Sequence, residues 1–209
     1  MDGVEVLCHS SIRIEKKNKV IYFDPFRVKD AKKDADYIYI THSHYDHFSE
    51  EDIIKLIKES TVIIVPKDLE DKVKKLQFSK DNVVVVSPGK EYTLNDIKFS
   101  TIPAYNIDKE FHKKEFGWVG YIVEVDGYKY YIAGDTDIVD ENRRVICDVA
   151  FVPIGGTYTM NYKEAARLVN EIKPKIVVPI HYAEIIGSVE DAYDFKELVD
   201  LDIKCEILL

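Results

Sequence analysis

Tyr37-Ile38-Tyr39-Ile40 runs straight into Thr41-His42-Ser43-His44-Tyr45-Asp46-His47, and this junction decides how the rest of the chain is read. The first four residues have the near-continuous apolar character of a strand buried on both faces. Ser49 then opens a helix, with Asp52 at the third helical position as its capping partner and Ile53, Ile54, Leu56 and Ile57 as the buried stripe. Four ligand-type side chains in six residues, His42, His44, Asp46 and His47, therefore fall on a strand-to-helix loop. Residues two apart in extended backbone share a face, so His42 and His44 suit one metal ion. Asp46 and His47, past the turn, suit a second.

Two more positions have the same placement. Tyr130-Tyr131-Ile132-Ala133 ends in Gly134-Asp135, and the glycine lets the backbone approach closely what the carboxylate holds. A carboxylate has two oxygens, which makes Asp135 the natural bridge between two cations. Val177-Val178-Pro179-Ile180 ends in His181, a further strand-end donor.

The surrounding pattern gives the architecture. Val4–Leu7, Ser11–Glu15, Val20–Phe23, Tyr37–Ile40, Val62–Val65 and Val83–Val86 read as strands, with an amphipathic stretch at Lys67–Leu76. Asn95-Asp96 and Asp126-Gly127 mark hairpins, the latter joining Trp118–Val125 to Tyr128–Ala133. The last third alternates strand and helix: Val149–Val152, Asn161–Ile172, Lys175–Val178, Ser188–Val199 and a closing strand near Ile203–Leu208. Asn161 with Glu164, and Ser188 with Asp191, are the helix-start pairs. Strands and hairpins in both halves, each half carrying two helices, predict an α/β four-layer αββα sandwich over a single domain, 1–209. Hairpins interrupt the alternation, and no GxGxxG opens a helix after a strand, which excludes a dinucleotide-binding fold.

Together these residues resemble the metallo-β-lactamase-fold superfamily, and within it the UlaG-like branch of metal-dependent hydrolases. The resemblance is carried by His42-x-His44-x-Asp46-His47, Gly134-Asp135 and His181. It extends to Leu7-Cys8-His9-Ser10-Ser11, Tyr22-Phe23-Asp24-Pro25-Phe26, Pro153-Ile154-Gly155-Gly156-Thr157-Tyr158-Thr159-Met160 and Pro179-Ile180-His181-Tyr182. It implies that His42 and His44 hold a first metal, that Asp46, His47 and His181 hold a second, and that Asp135 bridges. The superfamily usually gives the first metal a third histidine, where this chain reads Ile102-Pro103-Ala104-Tyr105-Asn106. His9, and His112 on the charged loop Phe111-His112-Lys113-Lys114, are the candidates to fill that gap. Taken alone, His9 reads as a structural or supporting residue and His112 as a solvent-exposed or a substrate-facing one.

Such a site would use a metal-bound hydroxide on a small phosphodiester, ester or lactone. Asp46 would orient the nucleophile and carry a proton. Tyr105, Asn106, His112, Tyr158 and Tyr182 are the candidates for contacts to the substrate or its oxyanion. Histidine and carboxylate donors suit zinc, with manganese, nickel or iron as alternatives, and one or two ions are expected.

Composition narrows the partners. With 29 basic and 38 acidic side chains the formal charge is -9, which disfavours a nuclease gripping a long polyanion. A non-catalytic metal-binding module is the other competing reading; retention of Asp46, Asp135 and His181 weighs against it. Apolar runs are strand-sized, and Met1-Asp2-Gly3-Val4-Glu5 lacks the basic flank of a secretory signal. Cys8, Cys147 and Cys205 form no disulfide framework. The expectation is a cytoplasmic metal-dependent hydrolase with a small-molecule substrate, no membrane association, and homo-oligomerisation left open.

Overall fold

Alternating apolar side chains in the first two dozen residues fold as an antiparallel meander, β1 (Val4–Cys8), β2 (Ser11–Lys16) and β3 (Lys19–Phe23). These are features of a computed structural model that describes residues 1–76 and 82–209. The turn between β2 and β3 is Lys17-Asn18, both left-handed (φ 48° and 61°), the geometry a two-residue hairpin requires. Chain direction then becomes parallel through β4 (Ala35–Tyr39), β5 (Ile57–Pro66) and β6 (Val83–Val86), giving a six-stranded sheet in the order β1-β2-β3-β4-β5-β6.

The chain divides into two units, Met1–Ser87 and Pro88–Leu209. In the first, α1 (Glu50–Leu56) and the short α2 (Glu70–Val73) pack on one sheet face. Ile53, Leu56, Leu69 and Val73 meet Ile38, Ile40, Ile63 and Val65 there. On the alternate positions, Ile12, Ile14, Ile21, Phe23, Tyr37, Tyr39 and Ile64 are buried as well, as expected for strands covered on both faces.

The second unit holds a seven-stranded sheet. A meander of β7 (Glu91–Leu94), β8 (Ile97–Pro103), β9 (Val119–Val125) and β10 (Tyr128–Ile132) is followed by parallel β11 (Val149–Pro153), β12 (Ile176–Ile180) and β13 (Lys204–Cys205). Asp126-Gly127 makes its hairpin with both residues left-handed (φ 53° and 75°). Both helices, α3 (Tyr162–Ile172) and α4 (Val189–Leu198), begin on the capping boxes read from the sequence, Asn161/Glu164 and Ser188/Asp191. They pack Ala165, Leu168, Val169, Ala192 and Phe195 over Tyr131, Ala150, Val152 and Val177. Among the described residues, no helix is long and apolar enough to cross a membrane.

The structure corrects three local expectations. Ile54 is 50% exposed, because on a two-turn helix it lies about 100° around from the buried Ile53. Ile57 opens β5 instead of closing the helix. The last strand contracts to Lys204–Cys205, since only those residues find partners on β12.

Asp52 holds the first unit together locally. Its carboxylate accepts from the Arg27 and Val28 amides (2.8 and 3.0 Å), the Ser49 hydroxyl (2.7 Å) and Lys55 Nζ (2.9 Å). Burial pushes this carboxyl up, but those bonds outweigh it and hold the group below the ordinary carboxylate range. A carboxyl with a lowered pKa stabilises the fold above its unfolded pKa, and that contribution is lost as pH falls through the folded value. Asp52→Ala is expected to lower stability by about 1–3 kcal/mol at pH 7. In urea melts, the gap from wild type should narrow as pH is taken below about 4; a gap that widens would contradict this account.

Candidate metal centre

In the first unit the donor side chains follow strand ends. β1 is succeeded by His9 in left-handed backbone (φ 53°), and β3 by Asp24, also left-handed (φ 44°). After β4 the chain passes through Ile40 and Thr41 to His42, then closes a tight turn in which the His47 and Phe48 amides donate to the His44 carbonyl (3.1 and 2.8 Å). That turn sends Phe48 into the core and leaves His42, Asp46 and His47 buried, with His44 half-buried.

His42 Nε2 lies 3.1 Å from His44 Nδ1. Two nitrogens on one tetrahedral zinc ion would stand roughly 3.3 Å apart, so this pair fits a shared cation. Asp46 Oδ2 is 3.2 Å from His9 Nε2 and 3.6 Å from His47 Nε2. One donor atom each from His9, Asp46 and His47 falls within 4.8 Å of the others. Behind them, Asp24 receives the Thr41 amide (2.7 Å), the Thr41 hydroxyl (2.6 Å) and His47 Nδ1 (2.7 Å). Burial raises the Asp24 carboxyl above its ordinary range, opposed by His47 and by both Thr41 donors.

The second unit gathers its own set. Gly134 is left-handed (φ 65°) and delivers the buried Asp135 from the end of β10; His181, left-handed at φ 59°, does the same for β12. His181 Nε2 stands 3.1 Å from Asp135 Oδ2, and His112 Nε2 stands 3.3 Å from the same oxygen. The proton position on His112 follows from its neighbours. The Tyr158 carbonyl can only accept, so Asn106 Nδ2 donates to it (3.0 Å) and Asn106 Oδ1 faces His112. His112 Nδ1 therefore donates to Asn106 Oδ1 (2.9 Å), and Nε2 is the ring atom turned toward Asp135.

Two imidazole nitrogens at 3.1 and 3.3 Å from one buried carboxylate oxygen make a nitrogen and oxygen donor set of the kind divalent ions take. In the first unit His42, His44, Asp46 and His47 are the residues able to hold metal; in the second they are His112, Asp135 and His181.

The remaining sequence candidates fall elsewhere. His112 is buried, contrary to the exposed loop position read from its charged neighbours. Its loop is tied down by Lys109 to Asp137 and by the Ile107 amide to Asp137 Oδ2 (3.0 Å). Asn106 spends its side chain on His112 and Tyr158, which corrects its reading as an oxyanion donor. Tyr105 gives its hydroxyl to Glu141 (3.0 Å). Tyr182 lies in the apolar core with Ala192 and Phe195, which corrects its reading as a substrate contact; burial pushes its phenol up to about 12. Tyr158 is half-buried, edge-on to Phe111 with centroids 4.6 Å apart. Asp24 and Thr41 were not among the sequence candidates. An aspartate ending the apolar run Val20–Phe23 is the same signal that picked out Asp135.

Comparisons with known proteins give the family. The family model described as "Beta-lactamase superfamily domain" matches residues 4–181. A UPF0173 metal-dependent hydrolase of Thermococcus onnurineus is 32% identical over 216 aligned residues, covering 95% of this chain and 92% of that one. The chain belongs to the UPF0173 metal-dependent hydrolases of the β-lactamase superfamily. A second UPF0173 relative, from Lysinibacillus sphaericus, is 32% identical over 91% of this chain and 89% of its own. The crystal structure of a protein named as a metal-dependent hydrolase from Parabacteroides distasonis superposes with a TM-score of 0.86 at 30% identity, covering 98% of this chain and 91% of that one. Igni18 of Ignicoccus hospitalis shares the fold, with a TM-score of 0.77 at 23% identity and coverage of 98% and 93%. The UPF0173 chain thus has the α/β metallo-β-lactamase fold expected from its sequence.

Gly155 offers a local test. A Cβ there would press against the His181 carbonyl oxygen and the Ile186 side chain and stand 3.3 Å from His181 Nδ1. Gly155→Ala is expected to cost about 1–3 kcal/mol in melting experiments and to lower bound metal by displacing His181. A metal content equal to wild type would remove Gly155 from the list of residues that shape the site.

Proposed function

We propose that this chain hydrolyses a small phosphodiester, or a carboxylic ester or lactone, using divalent metal, zinc first among the candidates. The observation that carries this reading is the convergence of His112 Nε2 and His181 Nε2 on a single oxygen of Asp135 (3.3 and 3.1 Å), the position of a bridging ligand. Within the first unit His42, His44, Asp46 and His47 would hold metal; within the second, His112 and His181 would do so with Asp135.

When bound, divalent ions of this kind bring a water to a pKa near 7 and polarise a carbonyl or phosphoryl oxygen. The chain's own contribution is positional. Asp46 orients the attacking water and accepts its proton at Oδ2, and His9 Nε2, 3.2 Å away, steadies that carboxylate. Asn106 keeps the His112 ring fixed, and Asp137 anchors the segment that carries both.

Zinc is favoured by histidine and carboxylate donors without cysteine, and manganese, iron and nickel are the competing loads in a metal titration. The formal charge of -9 favours a small anionic or neutral substrate over nucleic acid. Three free cysteines fit a reducing compartment, which we take to be the cytoplasm. No membrane partner is included in this reading, and self-association is left to a solution measurement.

The test is a panel of bis-p-nitrophenyl phosphate, p-nitrophenyl esters and lactones on zinc- and manganese-loaded protein. Asp46→Ala and His47→Ala are each expected to lower turnover by at least about 100-fold with the fold retained. His112→Ala should lower the metal content. Unchanged turnover in either of the first two variants overturns the reading, and a metal-loaded protein inert on the whole panel favours a binding module. Salt-dependent oligonucleotide binding would favour a nuclease.

A further inference from the structure

We infer that Phe111 and Tyr158 form an apolar wall beside the donor His112, and that the substrate group packed against it is flat, apolar and uncharged, an aryl substituent above all. The inference rests on the hydrolase reading and deepens it, since it names which esters or phosphodiesters the site prefers.

The wall belongs to the same hydrogen-bonded unit as the donor. Phe111 is 45% exposed, while the next residue, His112, is buried with Nε2 3.3 Å from Asp135 Oδ2. The phenyl ring stands edge-on to Tyr158, with centroids 4.6 Å apart and planes at 88°. The Tyr158 carbonyl accepts from Asn106 Nδ2 (3.0 Å), and Asn106 Oδ1 meets His112 Nδ1 (2.9 Å), so the ring pair and the donor hang on one side-chain amide. Two further bonds stiffen the segment. The Asn106 amide donates to the His112 carbonyl (2.7 Å), and Lys109 Nζ donates to the Thr159 carbonyl (2.8 Å). Trp118 lies 5.5 Å from the His112 ring by centroids, and Phe116 packs on Trp118 at 4.9 Å.

Exposure and charge say what this wall takes. Ile107 and Phe116 are exposed along with Phe111, so one loop holds three large apolar side chains in water next to a polar donor set. That is the composition of a small-molecule site, where a few polar groups fix orientation and apolar ones fill the rest. An edge-on pair leaves ring faces open to a third ring, and aromatic side chains on tied backbone lose little freedom when one arrives. The loop also has no surplus of positive charge. Within Ile107–Phe116, Lys109, Lys113 and Lys114 are matched by Asp108, Glu110 and Glu115. Each lysine is engaged in an ion pair: Lys109 with Asp137, Lys113 with Glu110 (2.9 Å) and Lys114 with Glu141 (2.8 Å). A second anionic group on the substrate would find no uncommitted lysine on this loop, whereas an uncharged ring needs none.

Calorimetric titration of the zinc-loaded full-length protein with phenylphosphonate, methylphosphonate and 4-carboxyphenylphosphonate reads the wall without turnover. Wild type should bind phenylphosphonate about tenfold more tightly than methylphosphonate, the scale of one added aromatic contact. Phe111→Ala should bring the two affinities within about twofold of each other. Phe111→Leu, which keeps the loop packed but has no ring, should show an intermediate preference, and it carries the comparison if the alanine variant loses metal. 4-Carboxyphenylphosphonate, with a second charge on the ring, should bind wild type more weakly than phenylphosphonate. No phenyl preference in wild type, an undiminished preference in both Phe111 variants, or tighter binding of the carboxylated ring overturns the inference. A phenyl preference that Phe111→Ala abolishes, in a protein inert on every ester, lactone and phosphodiester offered, would overturn the hydrolase reading and leave the wall standing. Turnover without any phenyl preference would do the reverse.

Discussion

What has to be explained in this protein is carboxylate burial. Asp24, Asp46 and Asp135 are all nearly removed from water, and an ionised carboxyl tolerates that only with donors or cations around it. Asp24 is satisfied by donors: an amide, a hydroxyl and an imidazole N–H. Asp135 meets the Nε2 atoms of His112 and His181, and the other nitrogen of the His112 ring is tied to Asn106. Asp46 stands between His9 Nε2 and His47 Nε2. The carboxylates thus divide by what faces them: an amide, a hydroxyl and one imidazole for the first, and imidazole Nε2 atoms for the other two.

The backbone supplies this arrangement at the carboxyl ends of strands. His9, Asp24 and His181 are non-glycine residues with φ of 53°, 44° and 59°. Left-handed backbone costs a side-chain-bearing residue about 1–2 kcal/mol, and it persists only where the surroundings over-determine it. Here the surroundings are strands covered on both faces, whose cores leave each strand end one direction in which to turn. Strain collected at three strand ends is the cost of aiming polar side chains inward from backbone that would otherwise run on as sheet. Gly134 accomplishes the same turn at φ 65° without that cost, and it is the one of the four whose role a sequence reader can see.

That contrast explains what was legible. Strand-to-helix placement of His42, His44, Asp46 and His47, the Gly134-Asp135 end, both capping boxes and the Asp126-Gly127 hairpin all rest on local rules written in residue identity. Positive φ at His181 is not written there, and past it Tyr182 lies in the core packed with α3 and α4. His112 was misjudged for a different reason. Its neighbours Lys113 and Lys114 make the loop look solvated, while the ties that bury the ring come from Asp137 and Tyr158, 25 and 46 positions along the chain. Asp24 was within reach of the rule applied to Asp135. It lacked only the preceding glycine that drew attention to the later strand.

The two supporting networks differ in chemistry and agree in effect. In the first unit a carboxylate and a hydroxyl order the His42 and His47 protons; in the second a neutral amide, itself fixed by the Tyr158 carbonyl, orders the His112 proton. A charged partner raises the basicity of the ring it holds, and a neutral amide does so much less. Asp24 therefore orients the two rings of the first unit with a charge, and Asn106 orients His112 without one. The chain's surplus of acidic side chains does not enter this balance. Screening at physiological salt confines a surface charge to about 8 Å, while the donors that decide affinity lie within hydrogen-bonding distance of the rings they orient.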